Sequence, residues 1–316
     1  MKILHKTEFS EPPELSLILL DWSVRESFHT LEYLNRQRFD RRRYEIIWIE
    51  YYHRVAPEID AMMRRNRSHG LPPQVDTWIV METPCDEYYH KHKMYNVGIL
   101  NAAGRILAVM DSDAIIKPTF IAEVISEFER EGRLALHFEQ IRNFDQSYYP
   151  FNYPTIEEII GPGCVNAVEG IPTGFVTCAK SLKDDWNLWH VYNYGACLCA
   201  LREDFVAIGG ADEHEDYLGH ICGPYEMTAR LINAGVKDKL HDSHFLYHVW
   251  HPNQGGANNY FGPNNGKGMS TTAMEIPKTG RVLPLIENEA IKKLRVGSCT
   301  SISDGSAAVL SLSRDR

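Results

Sequence analysis

No apolar run in the sequence approaches the ~20 residues that a membrane-spanning helix needs, so no spanning segment is expected. The first fourteen residues carry Lys, His and several Glu without an apolar core, so no signal peptide is expected either. There is no C-x-x-C pair and no zinc-like cysteine spacing. The seven cysteines are odd in number and scattered, Cys197 and Cys199 being two apart, which predicts reduced thiols and a cytoplasmic protein, with peripheral membrane contact still compatible. Positive charge is also short. A formal charge of −9 excludes a bulk polyanion such as nucleic acid as the natural partner, although a small anionic ligand needs only a few local cations. The short basic runs Arg41-Arg42-Arg43 and Arg64-Arg65-x-Arg67 therefore read as solvated surface. What remains is 316 residues with 44% hydrophobic and 24% charged side chains, enough for one large α/β domain with additions.

The most informative stretch runs from Tyr95 to Asp113. Met94, Val97 and Leu100 recur at helical spacing, and Gly104 is expected to end that helix. Arg105 to Met110 is nearly all apolar and suits a central strand covered on both faces. Asp111 and Asp113 then leave the strand at its carboxyl end, the rim where open α/β sheets bind ligands. One residue apart on an extended chain, the two carboxylates point the same way. Such a pair suits a hard cation, Mg²⁺ or Mn²⁺, whose shell is completed by phosphate oxygens and water.

Strands are expected at Leu15 to Leu20, Tyr44 to Ile49, Val75 to Met81 and Leu134 to Phe138. Helical spacing of Val24, Phe28, Leu31 and Leu34 follows the first strand, with Ser23 as the expected N-cap. Pro118 opens a helix with Phe120, Ile121, Val124, Ile125 and Phe128 on one face. Alternating strand and helix imply a parallel, doubly wound sheet with right-handed crossovers. Tyr148 to Tyr153 is an aromatic, Pro-containing segment that could stack on sugar rings. The Gly- and Asn-rich stretch 253–272 has no core of its own, and Ile286 to Leu294 suits a short terminal helix.

The run Asn96-x-Gly98-Ile99, Ala103-Gly104, apolar strand, Asp111-Ser112-Asp113 resembles the middle of the GT-A glycosyltransferases, especially the family 2 type. Tyr95 stands where that family has an Arg, so a phosphate contact would come from His90, Lys91, His92 or Lys93. Gly195-Ala196, Gly209-Gly210-Ala211-Asp212-Glu213 and Glu226-x-x-x-Arg230-Leu231 resemble the family's acceptor half, in that order. The resemblance covers about Leu15 to Pro252. It implies a Rossmann-like, doubly wound, mostly parallel sheet flanked by helices, with a smaller acceptor-side sheet. A domain over 1–252 would divide into a nucleotide-binding half at about 15–113 and an acceptor half at about 114–252, with 253–316 a mobile loop and C-terminal extension.

The activity implied is metal-dependent transfer of a sugar from a nucleotide sugar, a UDP-sugar by default, to a saccharide or small-molecule hydroxyl, inversion being slightly favoured. Leu20, Asp21, Trp22 and Glu50 fall where the family holds the nucleotide base; Asn96, Asp111, Ser112 and Asp113 belong to its donor motifs. Asp111 and Asp113 would take Mn²⁺ or Mg²⁺, joined by a His on a later strand, His248 ahead of His251. Strand alternation predicts that one imidazole, not both, is a ligand. Gly223-Pro224 replaces the family's Glu-Asp at the helix start, and proline accepts no proton. Asp216 is the leading substitute base and Glu226 the second. Two other readings stand beside this one: a sugar nucleotidyltransferase, against which no Gly-rich phosphate loop follows Leu20, and a catalytically silent nucleotide- or sugar-binding module. Self-association is compatible with all three.

Overall fold

Strands that are apolar throughout must be covered on both faces. In the computed structural model, which describes residues 1–21, 27–149, 152–164, 167–168, 171–172, 196–218, 224–251 and 285–297, several largely apolar strands are buried at every position, among them three neighbours at the centre of the sheet. They are β2 (Leu15–Asp21), β3 (Tyr44–Glu50) and β5 (Ile106–Met110). With β4 (Thr77–Val80) they form the parallel run β4-β3-β2-β5. β1 (Lys2–Lys6) closes one edge antiparallel to β4. Beyond β5, β10 (Cys197–Leu201) runs antiparallel to both β5 and β6 (Leu134–His137), and β11 (Lys237–Leu240) lies parallel to β6 at the far edge. The eight-stranded order is thus β1-β4-β3-β2-β5-β10-β6-β11. A second sheet pairs β7 (Gln140–Asn143) with β12 (Leu246–Val249), and β8 (Ala167–Val168) pairs with β9 (Ile171–Pro172).

Period-two alternation sends successive residues of β2 into two different cores. Leu15, Leu17 and Leu19 join α1 (His29–Asn35), α2 (Pro57–Ser68) and α4 (Phe120–Glu131) on one face. Ile18 and Leu20 join α3 (Lys91–Asn101), α6 (Arg202–Ala207), α7 (Tyr225–Asn233) and Ile291 of a helix at 289–297 on the other. A third cluster, built on Ile115, Ile141, Ile159 of α5 (Ile156–Ile159), Phe245, Tyr247 and Val249, lies under the small sheet. This is the expected α/β layout of a doubly wound parallel half, flanking helices and a smaller second sheet.

Several boundaries differ from the sequence reading. β1 was not expected, because an edge strand with exposed lysines shows little apolar pattern. α3 starts at Lys91, ahead of its apolar spacing, and ends at Asn101 instead of Gly104. Gly104 has a different task. Its N–H donates to Ser16 Oγ at 2.8 Å, and a Cβ there would sit 2.7 Å from the Ser16 nitrogen. α1 begins at His29 with no side-chain cap; the expected cap, Ser23, lies outside the described residues.

Candidate metal and donor site

The parallel strands β2, β3 and β5 end together, bringing Asp21, Glu50 and Asp111 to one rim. The turn after β5 is held from three sides. Ser112 Oγ donates to the Leu20 carbonyl at 2.6 Å, which ties it to the end of β2. His29 Nε2 donates to the Asp113 carbonyl at 2.8 Å, and Thr30 Oγ1 to that of Ala114 at 2.7 Å. Burial pushes the His29 imidazole down to about 3, so it stays neutral. Paired hydrogen bonds between Ile115 and Tyr247, 2.7 and 2.8 Å, then lay β12 against this turn.

That bridge brings the second sheet's histidines to the first sheet's acid. Asp113 Oδ2 lies 3.6 Å from His248 Nε2 and 3.3 Å from His251 Nε2, and the two Nε2 atoms are 3.2 Å apart. Strand alternation predicts one imidazole here, and both reach Asp113. β12 ends at Val249, so the alternation that would turn His251 away stops one residue after His248. Asp111 stands outside this trio; its Oδ1 is 3.7 Å from Lys91 Nζ.

The trio suits a divalent cation. A metal about 2.1 Å from each donor needs neighbouring donors about 3.0–3.5 Å apart, close to what is found. Two Nε2 atoms facing each other cannot both carry protons without clashing, so at least one lone pair is directed into the cluster. One carboxylate with two imidazoles favours Mn²⁺ over a purely oxygen-liking ion and leaves positions for phosphate oxygens. A second cluster among the described residues, Glu123, His241 and His244, does not fit a metal as well. His241 Nδ1 accepts the backbone N–H of Ser243 and of His244, at 3.2 and 3.0 Å, which places the ring proton on Nε2. That Nε2–H faces Glu123 Oε1 at 3.2 Å, and a protonated nitrogen has no lone pair to give.

At the ends of β2 and β3, Asp21 and Glu50 are register partners and both fully buried. Burial, and then the neighbouring Asp21 charge, push the Glu50 carboxyl well above the usual range, while the Trp48 indole donates to its Oε1 at 3.1 Å. Trp22 lies outside the described residues. Among the cations expected near the phosphates, His90 and His92 are turned inward onto the carbonyls of Glu213 (3.2 Å) and Asp212 (2.7 Å). Lys91 is the one that reaches the rim acids, a contact that spacing alone did not single out.

On the acceptor side Asn96 is a clamp between α3 and the glycine loop. Its Nδ2 donates to the Ala211 carbonyl and Glu213 Oε1, both at 2.9 Å, and its Oδ1 accepts the Ala211 N–H at 2.8 Å. Gly209 and Gly210 have φ of +85° and +72°, conformations that glycine takes without strain. Asp212 and Glu213 are then bound from the C-terminal segment, by the Ile286 N–H at 2.9 Å and Asn288 Nδ2 at 2.7 Å. Glu226 is buried with both oxygens engaged: Oε1 accepts the Asp212 N–H at 2.8 Å, and Oε2 the Arg230 Nε at 2.8 Å. Arg230 donates onward to the carbonyls of Ile208 and Gly210. Asp216 lies in the single turn Glu215–Tyr217, and its side chain is outside what is described. Of the aromatic segment, Tyr149 packs edge-on to Trp250 at 5.8 Å and Tyr153 tilts against Tyr33 at 6.1 Å. The stretch 253–272 is outside the described residues.

No protein-family profile and no curated protein sequence matches the chain. Solved structures do resemble it. That of S. aureus TarS superposes with a TM-score of 0.52 at 12% identity, over 76% of this chain and 37% of that one. A structure of S. aureus TarS 1–349 gives 0.50 at 11% identity, over 75% and 60%. The chain therefore corresponds to less than two thirds of either. At that identity the likeness speaks for architecture alone, and with the sheet order and rim described above it identifies the chain as having the GT-A glycosyltransferase fold.

Proposed function

We propose that the chain is a metal-dependent glycosyltransferase moving a hexose from a nucleotide sugar, a UDP-sugar in the first instance, to an acceptor hydroxyl, with inversion. The observation that carries this reading is the convergence of Asp113, His248 and His251 at the carboxyl rim of a GT-A sheet. These three residues would hold Mn²⁺ or Mg²⁺, which when bound neutralises the charge that develops on the departing diphosphate. Lys91 supplies a second positive charge beside Asp111, placed to meet a phosphate oxygen. Asp111 orients Lys91 and faces the ribose, and Ser112 fixes the turn that carries both acids. Asp21 and Glu50, fully buried at the ends of β2 and β3, would support the floor beneath the base.

An inverting transfer needs a carboxylate within about 3 Å of the acceptor hydroxyl. Glu226 is committed to Arg230 and the Asp212 N–H, so we assign it to positioning and place the base at Asp216. Pro224 at the head of α7 gives the silent binding module its one supporting observation. Titrating the protein with UDP in the presence of Mn²⁺ or of chelator, and following UDP-sugar hydrolysis, separates the readings. Metal-dependent UDP binding and slow hydrolysis, both lost in Asp113→Ala, are expected. Binding without turnover under any acceptor supports the module, and UDP binding indifferent to chelator sinks the metal assignment.

A further inference from the structure

At the opposite end of the sheet from the rim acids lies a cavity of about 740 Å³, walled by Pro12, Pro13, Leu201, Val206, Ala207 and Leu294. Its size falls in the ordinary range for small-molecule sites, roughly 300–1,000 Å³. Two arginines, Arg105 and Arg202, also line it. They follow the last register pair, Leu201 and Ile106: Arg202 opens α6, and its N–H donates to the Arg105 carbonyl at 2.8 Å. Both guanidinium-bearing side chains line this one cavity, and their like charges repel. Among the described residues neither guanidinium makes a hydrogen bond or ion pair. Arg202 Nε is moreover withdrawn from solvent without a partner. Of the nearby acids, Glu14 is paired with Arg43 and Glu287 with Arg295, while Glu203 lines the cavity without an ion pair to either arginine.

Two guanidinia without protein partners beside apolar walls suit an anion that carries a hydrocarbon tail. An oxyanion headgroup would take parallel hydrogen bonds from both forks, and a hydrocarbon tail would cover the proline, leucine and valine walls. We infer that this cavity binds a single amphiphilic anion, an alkyl chain ending in phosphate or carboxylate, seated on Arg105 and Arg202 and separate from the donor site. A free inorganic anion would satisfy the arginines alone, and a neutral amphiphile the walls alone.

Calorimetric titration of the intact protein with monomeric dodecyl phosphate, inorganic phosphate and dodecyl maltoside tests this. Dodecyl phosphate is expected to bind one to one, at least tenfold tighter than either control. Arg105→Gln and Arg202→Gln should each weaken it roughly tenfold, the scale of a lost charge-assisted hydrogen bond. Ala207→Glu should abolish binding by placing an acid on the apolar wall. Circular dichroism and Mn²⁺ binding at the distant Asp113 trio serve as folding controls. Equal affinity for inorganic phosphate, equal affinity for the neutral detergent, or unchanged binding in the folded arginine variants would each overturn the assignment.

Discussion

If Glu226 serves to position the glycine loop, its removal should cost stability before it costs chemistry. Glu226 and Arg230 are 2% and 4% exposed and 2.7 Å apart, with the Asp212 N–H as a third partner. Breaking a buried ion pair by deleting one member costs about 3–5 kcal/mol, because the survivor keeps its desolvation penalty without its partner. A domain holds about 5–15 kcal/mol in all, so Glu226→Ala should lose a large share of it. Glu226→Gln keeps an acceptor for Asp212 but leaves the guanidinium unmatched, an expected loss of about 2–3 kcal/mol. Pairing that change with Arg230→Met removes the stranded charge and should recover part of the loss, a coupling of about 1–3 kcal/mol in a double-mutant cycle. Urea denaturation of the four proteins measures this. Were Glu226→Gln to unfold at the parent midpoint while losing turnover entirely, Glu226 would be the base and the scaffold argument would fail.

Glu50 should shape the pH dependence of stability. Its raised pKa means that the native state keeps a proton which the unfolded chain releases above about 4.5, so stability falls as pH climbs from there. Glu50→Gln has no proton to lose, and its urea midpoint should fall less between pH 5 and pH 8 than that of the parent. Gly98→Ala would set a Cβ 2.4 Å from Ile18 Cγ2 in the centre of the sheet, and overpacking of this kind should cost about 1–3 kcal/mol by thermal or chemical unfolding. His251→Ala should weaken Mn²⁺ by about 10–100-fold, the scale seen when even an outer-shell partner of a metal is removed, with little change in melting of the metal-free protein.

The central strands and the rim acids were legible because their pattern is local. Seven consecutive buried positions in β2 and β3, and five in β5, leave no competing period. What stayed hidden depends on chain segments distant in sequence. Nothing near His29 in the sequence says that its ring will seat the Asp113 carbonyl, 84 residues away. That both His248 and His251 reach Asp113 turned on where β12 stops, and strand ends are the least predictable feature of a pattern. Lys91 could not be chosen from its histidine neighbours until α3 showed which of them face the glycine loop. Glu226 read as a candidate base while its helix partner Arg230, one turn on, already offered the simpler explanation.

The carboxylate of the trio hangs from the large sheet and both imidazoles from the small one, with the Ile115–Tyr247 hydrogen bonds as the backbone link nearby. Any ion gripped there would add a further tie between the two sheets beside the Leu246 packing and the Ile115–Tyr247 bridge. Loading and unloading it would thus be felt as stiffening and loosening of Gln140–Asn143 and Leu246–Val249, well beyond the three ligands themselves.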